Sequence, residues 1–122
     1  MLETQKTKKY DLEDRTQKFA RSIIVFVRQM HRDIPSVEIM KQVVRSAGSV
    51  GANYIEANES LGKKDFLMRI RISKKEAKET RYWLQLLEPK DKSEQDALQA
   101  LIQEVEELMR IFGAILVKST KS

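Results

Sequence analysis

Apolar residues recur with the period of an α-helix in four separate stretches of this chain. Leu12, Phe19, Ile23, Phe26, Val27 and Met30 share one face of a helix over residues 12–31, with Asp11 or Asp14 placed to cap its start. Asp33-Ile34-Pro35-Ser36 breaks the pattern, because a proline disfavours the helical region at Ile34 and Ser36 is a good N-cap. Ile39, Val43, Ala47, Val50, Tyr54, Ala57 and Leu61 predict a second helix over 37–60, with Gly62 as its stop. Phe66, Leu67, Ile70, Ala77, Leu84 and Leu87 predict a third over 64–87, ended by Pro89. Ser93 then caps a fourth over 94–116, whose core set is Leu98, Leu101, Ile102, Val105, Leu108, Met109, Phe112 and Ile115. Acidic residues at 94 and 96 complement its dipole. Helices joined by short links pack as antiparallel neighbours, so the expected fold is all-α, an antiparallel up-down-up-down four-helix bundle. Residues 1–10 are polar, basic and without period, and 118–122 are polar. They are expected to be a flexible arm and a disordered tail around a bundle of residues 11–117.

The pattern carries a complication. Ser46, Ser49, Asn53, Glu56 and Ser60 follow one another at helical spacing beside the apolar face of the second helix, and Glu76, Glu79 or Thr80, and Trp83 do so on the third. Buried polar groups must be hydrogen-bonded, so Arg45, Asn53, Glu56, Glu76 and Glu79 are expected to form a structural network that fixes the register of these helices. Gly48 and Gly51, each unfavourable by about 1 kcal/mol against alanine in a helix interior, point to a close approach of another backbone.

Composition narrows the chemistry. The 122 residues contain no cysteine and a single histidine, with a net charge of +5. One domain fits that length, and disulfides, thiol catalysis and thiolate metal sites are excluded. No apolar run suits a signal peptide or a membrane span, so the cytoplasm is the expected compartment and no membrane partner is expected. The positive excess lies in the first and third helices. On the third, Lys64, Arg71, Lys75 and Lys78 fall in one sector, flanked by Lys74 and Arg81, and Arg21 and Arg28 of the first helix add to the candidate nucleic-acid contacts. A charged helix face is ordinarily just solvated. Aromatic residues for base stacking are scarce there, with Tyr82 the one candidate, so any contact should be with phosphates and poorly sequence-specific.

Carboxylates inside a helix bundle raise di-iron chemistry, but that needs Glu-x-x-His motifs and none occurs; His31 sits at a helix end. Glu56, Glu76 and Glu79 alone would suit at most a hard cation. Acid–base catalysis by Glu56 and Glu76 lacks an accompanying nucleophile, phosphate loop or cofactor motif. No catalytic residue, metal or cofactor is therefore assigned.

Tyr10-Asp11-Leu12, Arg45-Ser46 through Glu56-Ala57, Asp65-Phe66, Lys75-Glu76-Ala77-Lys78-Glu79-Thr80 and Tyr82-Trp83-Leu84 closely resemble, in order and spacing, one family of bacterial four-helix-bundle proteins. Its first members were found encoded by intervening sequences within large-subunit ribosomal RNA genes. The resemblance spans residues 9–116. It implies a left-handed antiparallel bundle, a ring-like homopentamer and no catalytic residues. A related branch, the accessory variability protein of diversity-generating retroelements, is a basic pentamer that binds a reverse transcriptase and nucleic acid. Ser73-Lys74 stands where small apolar residues are expected in the family. The expected function is a non-enzymatic homo-oligomer associated with nucleic acid through RNA or DNA phosphates, with structured RNA or rRNA leading. The alternative is a protein-interaction scaffold, such as an accessory subunit for a retroelement reverse transcriptase. Exposed apolar surface is expected from the run Ile23-Ile24-Val25-Phe26-Val27, from Tyr54-Ile55 and from Leu86-Leu87, more than one core can bury.

Overall fold

In a computed structural model, the backbone is described for residues 2–121 and the side chains for residues 12–121. Four helices follow one another: α1 (Leu2–Gln29), α2 (Ile34–Asn58), α3 (Lys63–Leu86) and α4 (Lys92–Thr120). Each packs on its chain neighbours, α4 also packs on α1, and among the described residues the α1 and α3 backbones make no close approach. Thr16/Gly51 with Glu13/Asn58, Ser46/Thr80 with Val50/Ser73, Lys74/Gly113 with Arg81/Glu106, and Arg15/Glu104 with His31/Glu94 each run in opposing residue order, so every adjacent pair is antiparallel. This is the expected all-α bundle, with diagonal corners at α1 and α3. No helix among the described residues is long and apolar enough to cross a membrane.

Several ends differ from the sequence reading. The backbone of the stretch assigned to a basic arm continues α1 back to Leu2, since Glu, Gln and Lys there are good helix formers. The side chains of residues 1–11 lie outside those described. Asp14 is thus mid-helix and pairs with Lys18 at 3.1 Å rather than capping. Asp33, not Ser36, caps α2: its carboxylate accepts the Ser36 N–H at 2.9 Å, and Ile34 and Pro35 form the first turn. Proline fits there because first-turn amides have no helical partner to lose. Asp91, not Ser93, caps α4 through the Glu94 N–H at 2.9 Å. Gly62 serves as the N-cap of α3, while Glu59 closes α2. Leu61, counted with the core by its spacing, lies beyond the end of α2 and is fully exposed. At the other end of the chain α4 runs on to Thr120, through most of the expected tail.

The core is otherwise drawn from the expected faces. Ile23, Val43, Val50, Ile70, Leu84, Val105, Leu108 and Phe112 are completely buried, and Tyr54 tilts against Phe112 with ring centroids 6.0 Å apart. Met40, outside the expected set, is buried too. One backbone approach is tight. A Cβ at Gly51 would lie 3.0 Å from Thr16 Oγ1 and 3.3 Å from Thr16 Cβ, whereas one at Gly48 would meet nothing within 4 Å. Gly48 therefore marks no contact, contrary to the sequence expectation.

Small hydroxyl residues make the α2–α3 seam. Thr80 donates to Ser46 Oγ at 2.7 Å or to the Glu76 carbonyl at 2.8 Å, and Ser46 donates to the Gln42 carbonyl at 2.9 Å. Ser73, completely buried, donates across the seam to the Val50 carbonyl at 2.9 Å. At its rim Arg45 binds Glu79 at 2.6 Å and Glu76 at 3.4 Å, and Arg69 donates to Asn53 Oδ1 at 3.0 Å. The expected network is thus partly corrected. Arg45 and Glu56 are exposed, Asn53, Glu76 and Glu79 are half-buried, and the Glu56 side chain makes no bond to the others. The helices are registered by the hydroxyls, which no water can replace, rather than by the carboxylates.

A second tie closes one end of the bundle. Glu94, nearly buried, accepts the His31 N–H at 2.9 Å, the Lys90 N–H at 3.0 Å and a hydrogen bond from His31 Nδ1 at 2.9 Å. His31 Nε2 reaches Asp33 at 3.2 Å. One carboxylate so fastens the α1–α2 turn to the α3–α4 link. Burial pushes the Glu94 carboxyl up, but the Lys90 and His31 amides and the imidazole outweigh it and hold it at about 2. His31 is raised above 6.5, first by its hydrogen bond to Glu94.

Three outcomes follow. Gly48→Ala should stabilise by about 1 kcal/mol and Gly51→Ala should destabilise, measured by urea unfolding. Thr80→Val should cost about 1 kcal/mol, whereas Glu76→Ala, at the solvated rim, should cost less. The Glu94 contribution is complete above 4.5 and fades as pH falls towards 2; the His31 contribution is complete below 6.5 and fades as pH rises through its raised value. The melting temperature should therefore peak between those limits, and His31→Asn should flatten the alkaline side and, because the imidazole also lowers Glu94, weaken the acid side.

Candidate nucleic-acid interface

The seam sets how α3 is rotated. With Ser73, Thr80, Ala77 and Leu84 turned inward, the residues opposite them on the 3.6-residue repeat face solvent. These are Lys64, Met68, Arg71, Lys75, Lys78, Tyr82 and Leu86, all exposed. The four cations of this sector have no ion pair or hydrogen bond among the described residues. The nearest carboxylates on the same helix, Glu76 and Glu79, turn towards α2 and hold Arg45.

The two flanking cations behave differently. Lys74 reaches over α4, where a Cβ at Gly113 would lie 3.6 Å from its Nζ. Arg81 pairs with Glu106 of α4 at 3.5 Å. Both belong to the α3–α4 seam rather than to the open stripe. Arg21 and Arg28 are exposed on α1, the diagonal corner, and do not join the stripe within one subunit.

Tyr82 closes the stripe one helical turn beyond Lys78. Its ring meets that of Trp83 edge to face, with centroids 5.1 Å apart, and the Trp83 indole donates to Glu79 at 3.4 Å.

For a cation, the arrangement is poor. Arg45 already binds both Glu76 and Glu79, and Glu56 is exposed on α2. No group of His, Asp and Glu among the described residues is disposed to hold a metal ion.

Apolar surface remains on both flanks of α1. Towards α4 an open groove of about 720 Å³ is lined by Phe19, Val25, Phe26, Ala97 and Leu101, with Lys18 and Arg21 among the residues around it. Towards α2, Ile24, Val44 and Ile55 are each roughly two-fifths to one-half exposed. Of the surplus apolar residues expected from the sequence, Ile24, Val25, Ile55 and Leu86 stay exposed, while Ile23, Phe26, Tyr54 and Leu87 are buried.

No curated protein matches the chain. Among solved structures, the chain is similar to a protein of unknown function from the S23 ribosomal protein family of Bacteroides thetaiotaomicron. The two share 28% identity and a TM-score of 0.74, over 89% of this chain and 97% of that one. The family model described as 23S rRNA-intervening sequence protein matches residues 3–114, almost the whole bundle. The four helices, the motifs and their spacing agree with that match, and the chain belongs to the 23S rRNA-intervening sequence protein family.

Proposed function

We propose that this protein is a non-enzymatic homo-oligomer that associates with structured RNA through phosphate contacts on the outward face of α3. The observation that carries this reading is the stripe of Lys64, Arg71, Lys75 and Lys78, exposed and without a carboxylate partner among the described residues. Like charges three and four residues apart on a helix repel one another, and a polyanion removes that repulsion. The family description, which ties its members to 23S rRNA, makes RNA the polyanion to test first.

Assembly strengthens the reading. A ring needs two different complementary faces on every subunit, and α1 has apolar surface on both flanks. A homopentamer is the form the family resemblance implies. Joined through α1, the subunits would leave α3 on the outside and repeat its stripe, so that weak phosphate contacts add through effective concentration.

RNA binding should weaken steeply between low and physiological salt, as counterion release requires. Arg71→Glu, Lys75→Glu and Lys78→Glu together should abolish it without changing the oligomer. Light scattering should report a multiple of the 14.2 kDa subunit, and Val25→Glu should lower that mass. Binding that is absent at low salt, or indifferent to the triple reversal, would reject the RNA role and leave a protein-docking scaffold, such as a reverse transcriptase subunit, as the better account.

A further inference from the structure

The α3 stripe does not consist of charge alone, and its aromatic end bears on which form of RNA it takes. Tyr82 lies in the same sector as Arg71, Lys75 and Lys78 and is 55% exposed. Its ring is steadied by the edge contact with Trp83, whose indole is in turn tied through Glu79 to Arg45. An aromatic ring is thus held at a fixed place, mostly open to solvent, one turn past the last cation.

We propose that Tyr82 is a stacking platform for an unpaired base, and that the α3 face recognises single-stranded or looped RNA. This deepens the RNA reading above and rests on it. A paired A-form stem offers the stripe its phosphates, but its base faces are stacked within the helix and beyond reach of the ring. An unpaired strand offers both, phosphates to the cations and an exposed base face to Tyr82. Lys64 to Tyr82 spans roughly 27 Å at 1.5 Å per residue, room for on the order of four or five extended nucleotides, the low end of single-strand sites. Stacking uses the face that every base possesses, so sequence preference should be weak.

The experiment uses the intact oligomer and two RNA probes of equal length at low salt, an unstructured uridine-rich strand and a fully paired duplex. The wild type should bind the strand more tightly. Tyr82→Leu should lose roughly ten-fold on the strand, with little change on the duplex and an unchanged salt slope, and Tyr82→Phe should match the wild type. Trp83, the single tryptophan, should change its fluorescence when the strand binds, and that change should shrink in Tyr82→Leu. Equal affinity for both probes, or a Tyr82→Leu variant that binds the strand like the wild type, overturns the stacking role. If the Arg71, Lys75 and Lys78 reversal still abolishes binding in that case, phosphate recognition survives without it. If wild type binds neither probe, both readings fall.

Discussion

The arrangement of this bundle depends on the hydroxyl seam between α2 and α3. Ser46, Ser73 and Thr80 are buried to completion; Ser46 and Ser73 each donate to a backbone carbonyl, and Thr80 donates to Ser46 Oγ or to the Glu76 carbonyl. Such residues do two things at once. Their small size, with Ala47 and Ala77 beside them, lets two helices pack closely, and the bonds that cross the seam, Thr80 to Ser46 and Ser73 to the Val50 carbonyl, form at only one relative translation. A slip by a turn would move Ser73 away from the Val50 carbonyl and Thr80 away from Ser46. A purely apolar seam of alanines would be more tolerant of that slip.

Fixing α3 against α2 also fixes its charges in three sectors. The carboxylates on the α2 side, Glu76 and Glu79, hold Arg45. The cations on the α4 side, Lys74 and Arg81, lie over Gly113 and against Glu106. The outward sector is left without a carboxylate partner among the described residues, with Arg71, Lys75 and Lys78 at spacings where like charges cost a few tenths of a kcal/mol. A stripe that destabilises its own helix is better explained by something outside the subunit than by solubility, for which interspersed signs would serve as well.

The helices were legible because their apolar period is strong; their ends were not. At both Asp33/Ser36 and Asp91/Ser93 two good capping residues lie within three positions, and in each case the earlier one wins. Capping earlier adds helix, and Pro35 is no obstacle in a first turn where its missing amide has no partner. Leu61 matched the period of α2 by accident, past its true end. The polar stripe was visible on the wheel, but which of its members are covered depends on how far α3 overlaps α2. Glu56 falls on the exposed part, and Ser73, which looked like a departure from small apolar packing, carries a buried bond across the seam. The sector of the basic residues could be read from spacing. Whether Lys74 and Arg81 would fold over α4, and whether Arg21 and Arg28 would lie at the opposite corner, required the packing of four helices together.

That diagonal placement separates two kinds of surface. α1 carries apolar residues on both of its flanks, which suits burial against other subunits, and α3 carries the unpaired cations. Had both occupied one corner, assembly would have buried charge without partners, at a desolvation penalty of several kcal/mol per ion. On opposite corners, copies can associate through α1 while α3 stays in water, where its lysines and arginines remain hydrated and long-range attraction to a polyanion is kept. The clamp at His31 and Glu94 fits the same division: it joins the α1–α2 turn to the start of α4, and the Arg15–Glu104 pair ties α1 to α4 further along, so the groove between the two helices is framed by polar bonds at both places.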